Sequence, residues 1–251
     1  MDKVAGTYQT WTYEWSGSDA VARHDKALSF LSSIEYFYPD SFLDIGCGNG
    51  TLTKRIMSHY GIDKAYGVDK EYIETKDIPE GLVISKCDTD LEVLPYKDNS
   101  FDLVHLGETF EHLFSPDKCL KEIYRVLKPN GLCFISTPNL GSWESRIAFL
   151  FGYHPYAISV STEHEELGKF GLKPGFHGQW GHIRVPTLRA LKLLLEVHRL
   201  KVVKVKGWAA GRAGSHVKGT AMSKLIDLTD SCISSISPSL SSRLAVLVKK
   251  V

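Results

Sequence analysis

Phe42-Leu43-Asp44-Ile45-Gly46-Cys47-Gly48-Asn49-Gly50-Thr51 is the stretch on which the fold turns. An apolar run delivers an acid into three glycines at alternate positions, and Leu52, Ile56, Met57 and Tyr60 follow at helical spacing. The order is strand, loop, helix. Glycine lets a backbone take positive φ and approach a bound molecule with no Cβ in the way, while the helix start offers unpaired N–H groups. The stretch therefore reads as a ligand loop. A dinucleotide fingerprint would require glycine at position 51, which is Thr51, so the pattern is D-x-G-x-G-x-G.

Outward from that loop, strand-like runs at 42–45, 65–68, 82–86, 101–106 and 132–137 alternate with helical patterns near 51–60, 71–76 and 117–127. This alternation predicts a mostly parallel sheet covered by helices on both faces. In the 117–127 helix, Leu120, Ile123, Tyr124 and Leu127 form one apolar stripe and Pro129-Asn130-Gly131 stops it. A helix from Ser18 to Tyr38, closed by Pro39, precedes the first strand. Ligands of such sheets bind beyond the carboxyl ends of the strands, where Asp44, Asp69, Asp88 and the run from Leu106 to Glu108 project. A helix at 187–200, a strand at 201–205, a helix near 221–236 and a strand near 243–249 follow.

These residues together resemble the class I S-adenosylmethionine (SAM)-dependent methyltransferases. Asp44 to Gly50 is similar to motif I of that family. Ala65-Tyr66-Gly67-Val68-Asp69, Cys87-Asp88-Thr89-Asp90, Asn99 to Val104 and Leu120 to Gly131 match its later elements in order, over roughly residues 40–140. The resemblance implies a Rossmann-like, doubly wound α/β fold with a mostly parallel seven-stranded sheet. It also implies S-adenosyl-L-methionine as cofactor. Asp44 would orient the glycine loop and the methionine ammonium group, with Gly46, Cys47, Gly48 and Gly50 against the ligand. Asp69 would accept from the ribose hydroxyls. Asp88 and the Thr89 amide would meet the adenine edge, with Asp90 a competitor for that place, and Leu106 and Gly107 would line the cofactor. His112 and His182 are the candidate catalytic residues, each open either to general-base work or to holding a loop.

A single domain over 1–251 is expected: an N-terminal helical segment (1–39), a cofactor core (40–138), an insertion after the fifth strand (139–186) and the rest of the sheet (187–251). The insertion is rich in glycine and aromatic residues and carries four histidines, which suits a lid or acceptor pocket. Trp11, Tyr13 and Trp15 either close over a ligand or fill an interface. Glu163, His164, Glu165 and Glu166 read as a solvated charged face, so no metal site is expected.

Composition narrows the partners. Lys+Arg 30 against Asp+Glu 29 leaves a net charge of +1, which does not favour nucleic acid. The fourth strand runs into His105-Leu106-Gly107-Glu108, and not into the Asn/Asp-Pro-Pro-aromatic sequence associated with amide and exocyclic amino nitrogens. A small-molecule, sugar or lipid-linked acceptor with an accepting oxygen is expected. The rivals are a non-catalytic SAM-binding regulatory or scaffolding subunit and a nicotinamide-dependent oxidoreductase. Five cysteines without CxxC spacing indicate reduced thiols and, with no signal-like or membrane-spanning run, a cytoplasmic protein. Oligomeric state leaves no mark in the sequence.

Overall fold

The computed structural model describes residues 18–71, 78–161, 164, 167–170, 181–209 and 221–251. In chain order the elements are α1 (Ser18–Leu31), β1 (Phe42–Ile45), α2 (Thr51–Tyr60), β2 (Ala65–Asp69), β3 (Leu82–Lys86) and β4 (Phe101–Gly107). After a 3-10 turn (Phe110–His112) come α3 (Pro116–Val126), β5 (Leu127–Pro138), α4 (Trp143–Leu150), α5 (Leu188–Val197), β6 (Leu200–Trp208), α6 (Ala221–Ile236) and β7 (Arg243–Lys250).

The seven strands form one sheet in the order β3-β2-β1-β4-β5-β7-β6. Pairings from β3 through β5 are parallel, and β7 runs antiparallel to both β5 and β6. This is the doubly wound α/β sheet expected from the alternation. Side chains alternate across each strand, so each face collects its own core. Leu43, Ile45, Val104, Leu106, Cys133, Ile135, Val246 and Val248 meet Leu120, Ile123 and Val126 of α3 and Leu191 and Leu195 of α5. Phe42, Leu103, Phe134, Ala245 and Leu247 meet Ala27, Phe30 and Leu31 of α1 and Ile56 and Met57 of α2. Burying both faces explains why β7 reads as nearly unbroken apolar sequence.

Two element boundaries differ most from expectation. α1 ends at Leu31 and not at Tyr38. The Ser32 hydroxyl donates to the Leu28 carbonyl at 2.7 Å and that of Ser33 to the Phe30 carbonyl at 2.5 Å, local bonds that compete with helix continuation. At the other boundary, β5 begins at Leu127 and absorbs Pro129-Asn130-Gly131, which the sequence pattern assigns to a turn. The ladder passes from Phe101 opposite Leu127 to Leu103 opposite Leu132, so the tripeptide is a bulge with Asn130 at φ 66°. The helix expected near 71–76 lies outside the described residues apart from Glu71. Trp11, Tyr13 and Trp15, and Glu163, Glu165 and Glu166 beside His164, are outside them as well. Among the described residues no helix is long and apolar enough to cross a membrane.

Candidate functional site

The loop after β1 is built by three left-handed glycines, Gly46 (φ 76°), Gly48 (φ 52°) and Gly50 (φ 77°). The Gly46 and Cys47 amides donate to the Val68 carbonyl at 2.8 and 3.2 Å, pinning the loop to the end of β2. The glycines do different jobs. A Cβ on Gly46 would stand 2.1 Å from Thr109 Oγ1, and one on Gly50 would stand 2.3 Å from Leu82 Cδ2. At Gly48 no described atom lies within 4 Å of that position, so this face of the loop is open.

Asp69 ends β2 beside that opening. Its carboxylate accepts from the Gly48 amide at 2.9 Å and from the Glu71 amide at 2.9 Å, and the residue is half-buried. Asp44, only 2% exposed, has both oxygens engaged inside the protein: Thr53 Oγ1 donates at 2.5 Å and His105 Nδ1 lies at 2.7 Å. Asp44 and His105 are register partners on adjacent strands, and the imidazole stacks on Phe134 at 5.4 Å. Asp44 therefore ties the start of α2 to β4. His105 Nε2 is buried with no hydrogen-bond partner among the described residues, and its ring occupies the space that a Cβ on Gly107 would need.

The acids after β3 separate by their partners. Asp90 accepts from the Phe114 amide at 3.0 Å and the Ser115 amide at 2.7 Å, which holds the entry to α3. Asp88 accepts from the Asp90 amide at 2.9 Å through Oδ1. Thr89, next to it, is half-buried. The side chains of Leu106 and Cys47 are packed inside the protein: Leu106 belongs to the core facing α3, and Cys47 Sγ packs where a Cβ on Gly67 would fall. Burial pushes the Cys47 thiol far up, so it stays protonated.

His112 and His182 come together although 70 residues separate them (182 − 112). Their rings are 4.9 Å apart at 68°. The two segments are joined through Glu111, whose backbone carbonyl accepts from the Ile183 amide at 2.8 Å and the Arg184 amide at 3.1 Å. Glu111 is 1% exposed, and its carboxylate accepts from Thr137 Oγ1 at 3.1 Å and stands 3.9 Å from His182 Nε2. Burial pushes the Glu111 carboxyl up to about 7 and brings His182 down to about 4. His112 is also lowered, by lost hydration and by the charge of Lys70. The sequence pattern did not mark His105 as a site residue, because it matters through a partner on another segment. Glu108, at φ 53°, pairs with Arg243 of β7 and accepts from Ser136 Oγ at 3.1 Å.

An open glycine turn beside an acid at the end of the next strand fits an adenosyl ligand carrying vicinal hydroxyls. Known proteins agree. Residues 43–135 match the model of the methyltransferase domain. An uncharacterized methyltransferase of Schizosaccharomyces pombe is 40% identical over 96 residues, which are 36% of this chain and 36% of that protein. The cycloartenol-C-24-methyltransferase 1 of Oryza sativa is 32% identical over 133 residues, 49% of this chain and 38% of that protein. The chain thus spans well under half the length of these two relatives. The crystal structure of a SAM-dependent methyltransferase from Archaeoglobus fulgidus shares the fold, with a TM-score of 0.56 at 19% identity over 93% of this chain and 95% of that one. Residues 43–135 thus carry a methyltransferase domain, similar to those of the class I S-adenosylmethionine-dependent methyltransferases.

Proposed function

We propose that the protein transfers a methyl group from SAM to a small-molecule, sugar or lipid-linked acceptor, with oxygen as the favoured accepting atom. The observation that carries this proposal is the Gly48 cradle: a positive-φ glycine with open space above it, whose amide is bonded to the acid that ends β2. In that cradle the open face of the backbone at Gly48 would lie against the cofactor and Asp69 would accept from its ribose hydroxyls. Asp88 and the Thr89 amide would meet the adenine edge. Asp44 would act at one remove, by fixing the loop through Thr53 and His105.

SAM supplies a methyl group already activated by its sulfonium, so the protein's part is to align the acceptor, exclude water and take a proton where the acceptor holds one. His182, at about 4, is neutral at pH 7 and so keeps a lone pair to offer at the site. A groove of about 380 Å³ lined by Phe149, Tyr153, His154, Val160 and Leu167 lies in the 139–186 stretch. The His182 ring is bonded to the Ala157 carbonyl of the same stretch, at 2.7 Å. An apolar groove suits an acceptor with an apolar body, and a relative whose name specifies cycloartenol is in keeping with such a body.

Calorimetry with S-adenosylhomocysteine, the demethylated product, tests the cradle, and transfer of labelled methyl across a panel of hydroxylated, amino and carbon acceptors tests the rest. Absence of heat from folded protein overturns the proposal. Label appearing only on nitrogen or carbon acceptors removes the oxygen preference.

A further inference from the structure

We propose that Glu111, His112 and His182 hold a divalent first-row metal ion. One ligand atom from each lies within 4.8 Å of the other two, close enough for small side-chain shifts to bring all three onto a single cation. The three come from two segments that the fold has already fastened together. The Ile183 and Arg184 amides close on the Glu111 carbonyl, so the cluster is assembled by backbone bonds and not by the ion.

The hydrogen bonds around the rings set which nitrogen can ligate. His182 Nδ1 faces the Ala157 carbonyl at 2.7 Å, and His112 Nδ1 faces the Gly181 carbonyl at 3.2 Å. A carbonyl oxygen can only accept, so each Nδ1 carries the proton and each Nε2 the lone pair. Metal-bound histidines show this same arrangement, with the far N–H donated to a carbonyl or carboxylate that fixes the ring. Opposite His182 Nε2, at 3.9 Å, stands Glu111 Oε1, an atom that likewise offers electrons when the carboxylate is ionised. Glu111 is 1% exposed, and a carboxylate removed from water is costly unless a positive charge answers it. A cation bridging these donors supplies that charge.

Two imidazoles and one carboxylate select a transition ion over calcium or magnesium, which prefer oxygen alone. Three protein ligands also leave coordination positions open, as in metal sites that receive a substrate, whereas structural sites are closed by four. The cluster is one turn from the cofactor loop, because Thr109, two residues before Glu111, packs against Gly46 and donates to the Ile45 carbonyl at 3.3 Å. An acceptor oxygen is therefore the natural occupant of an open position, a clause that rests on the function proposed above.

The test uses the full chain, stripped with chelator and titrated with Zn²⁺ and with Co²⁺ alone, followed by calorimetry and by the visible Co²⁺ absorption. One ion per chain is expected, with affinity falling at least ten-fold in His182→Ala and in Glu111→Gln, the second keeping the shape of the buried side chain. Wild-type protein that takes up neither ion overturns the proposal, as do two variants that bind like the wild type. S-adenosylhomocysteine binding is measured on the same metal-free samples. Product binding without ion uptake removes the cation site and leaves the methyl-transfer proposal standing. Ion uptake without product binding does the reverse.

Discussion

At the scale of single residues, the three loop glycines make separable predictions. Gly46→Ala and Gly50→Ala combine a strained φ with a clash against Thr109 or Leu82, and each is expected to lower stability by about 2–4 kcal/mol in denaturant unfolding. Gly48→Ala meets no described atom, so its cost is the φ strain alone, about 1–2 kcal/mol. Gly48→Val should nevertheless abolish product binding in calorimetry while the chain stays folded, and unchanged affinity would take this loop out of the site. Asp69→Ala is expected to weaken binding by about 1.5–3 kcal/mol, the scale of hydrogen bonds to a charged group. An unaltered dissociation constant would remove Asp69 from the ribose contact. Asp44 was legible as a loop acid because it stands at a strand end beside glycines. Its attachment to His105 was not, since alternation places both on one face without saying which strands are neighbours.

At the scale of elements, α3 is fastened by more than its apolar stripe. Arg125 donates to Glu122 at 2.6 and 2.9 Å, to the Leu94 and Tyr96 carbonyls at 3.0 and 2.7 Å and to Asp98 at 2.9 Å, while Glu122 accepts from the Leu94 amide at 2.9 Å. The helix is thereby tied to the loop before β4. The bond from Arg125 is the main reason that the Glu122 carboxyl sits below the usual range. A carboxyl lowered by folding contributes stability that is complete above its unfolded pKa of about 4.3 and disappears as pH falls through the lower folded value. Glu122→Gln should therefore cost about 1 kcal/mol at pH 7, with the gap from wild type closing in acid. An equal gap at pH 7 and at about pH 3 would contradict this assignment. The existence and type of α2, α3 and α5 followed from helical periodicity. Their ends followed less well, because Leu127 satisfies both the stripe of α3 and the apolar run of β5, and because the serines after Leu31 stop a helix through side-chain bonds that an apolar pattern does not record.

At the scale of the whole molecule, no local pattern could have ordered the strands or joined His112 to His182, and the seven-stranded arrangement was expected only through resemblance. β7 lies between β5 and β6 and, among the described residues, is the strand that pairs with both on that side of the sheet. Removing residues 243–251 is expected to eliminate cooperative unfolding and most of the soluble yield, and a truncated chain that keeps a full-height thermal transition would contradict that. The same interposition has a temporal side. β6 is translated before the strand that completes it, and the 34 residues between Trp208 and Arg243 (243 − 208 − 1) take roughly 2–7 s to synthesise at common elongation speeds. Throughout that interval the nascent polypeptide presents two unsatisfied edges, so the ribosome-bound intermediate is the form of this protein most exposed to chaperone capture.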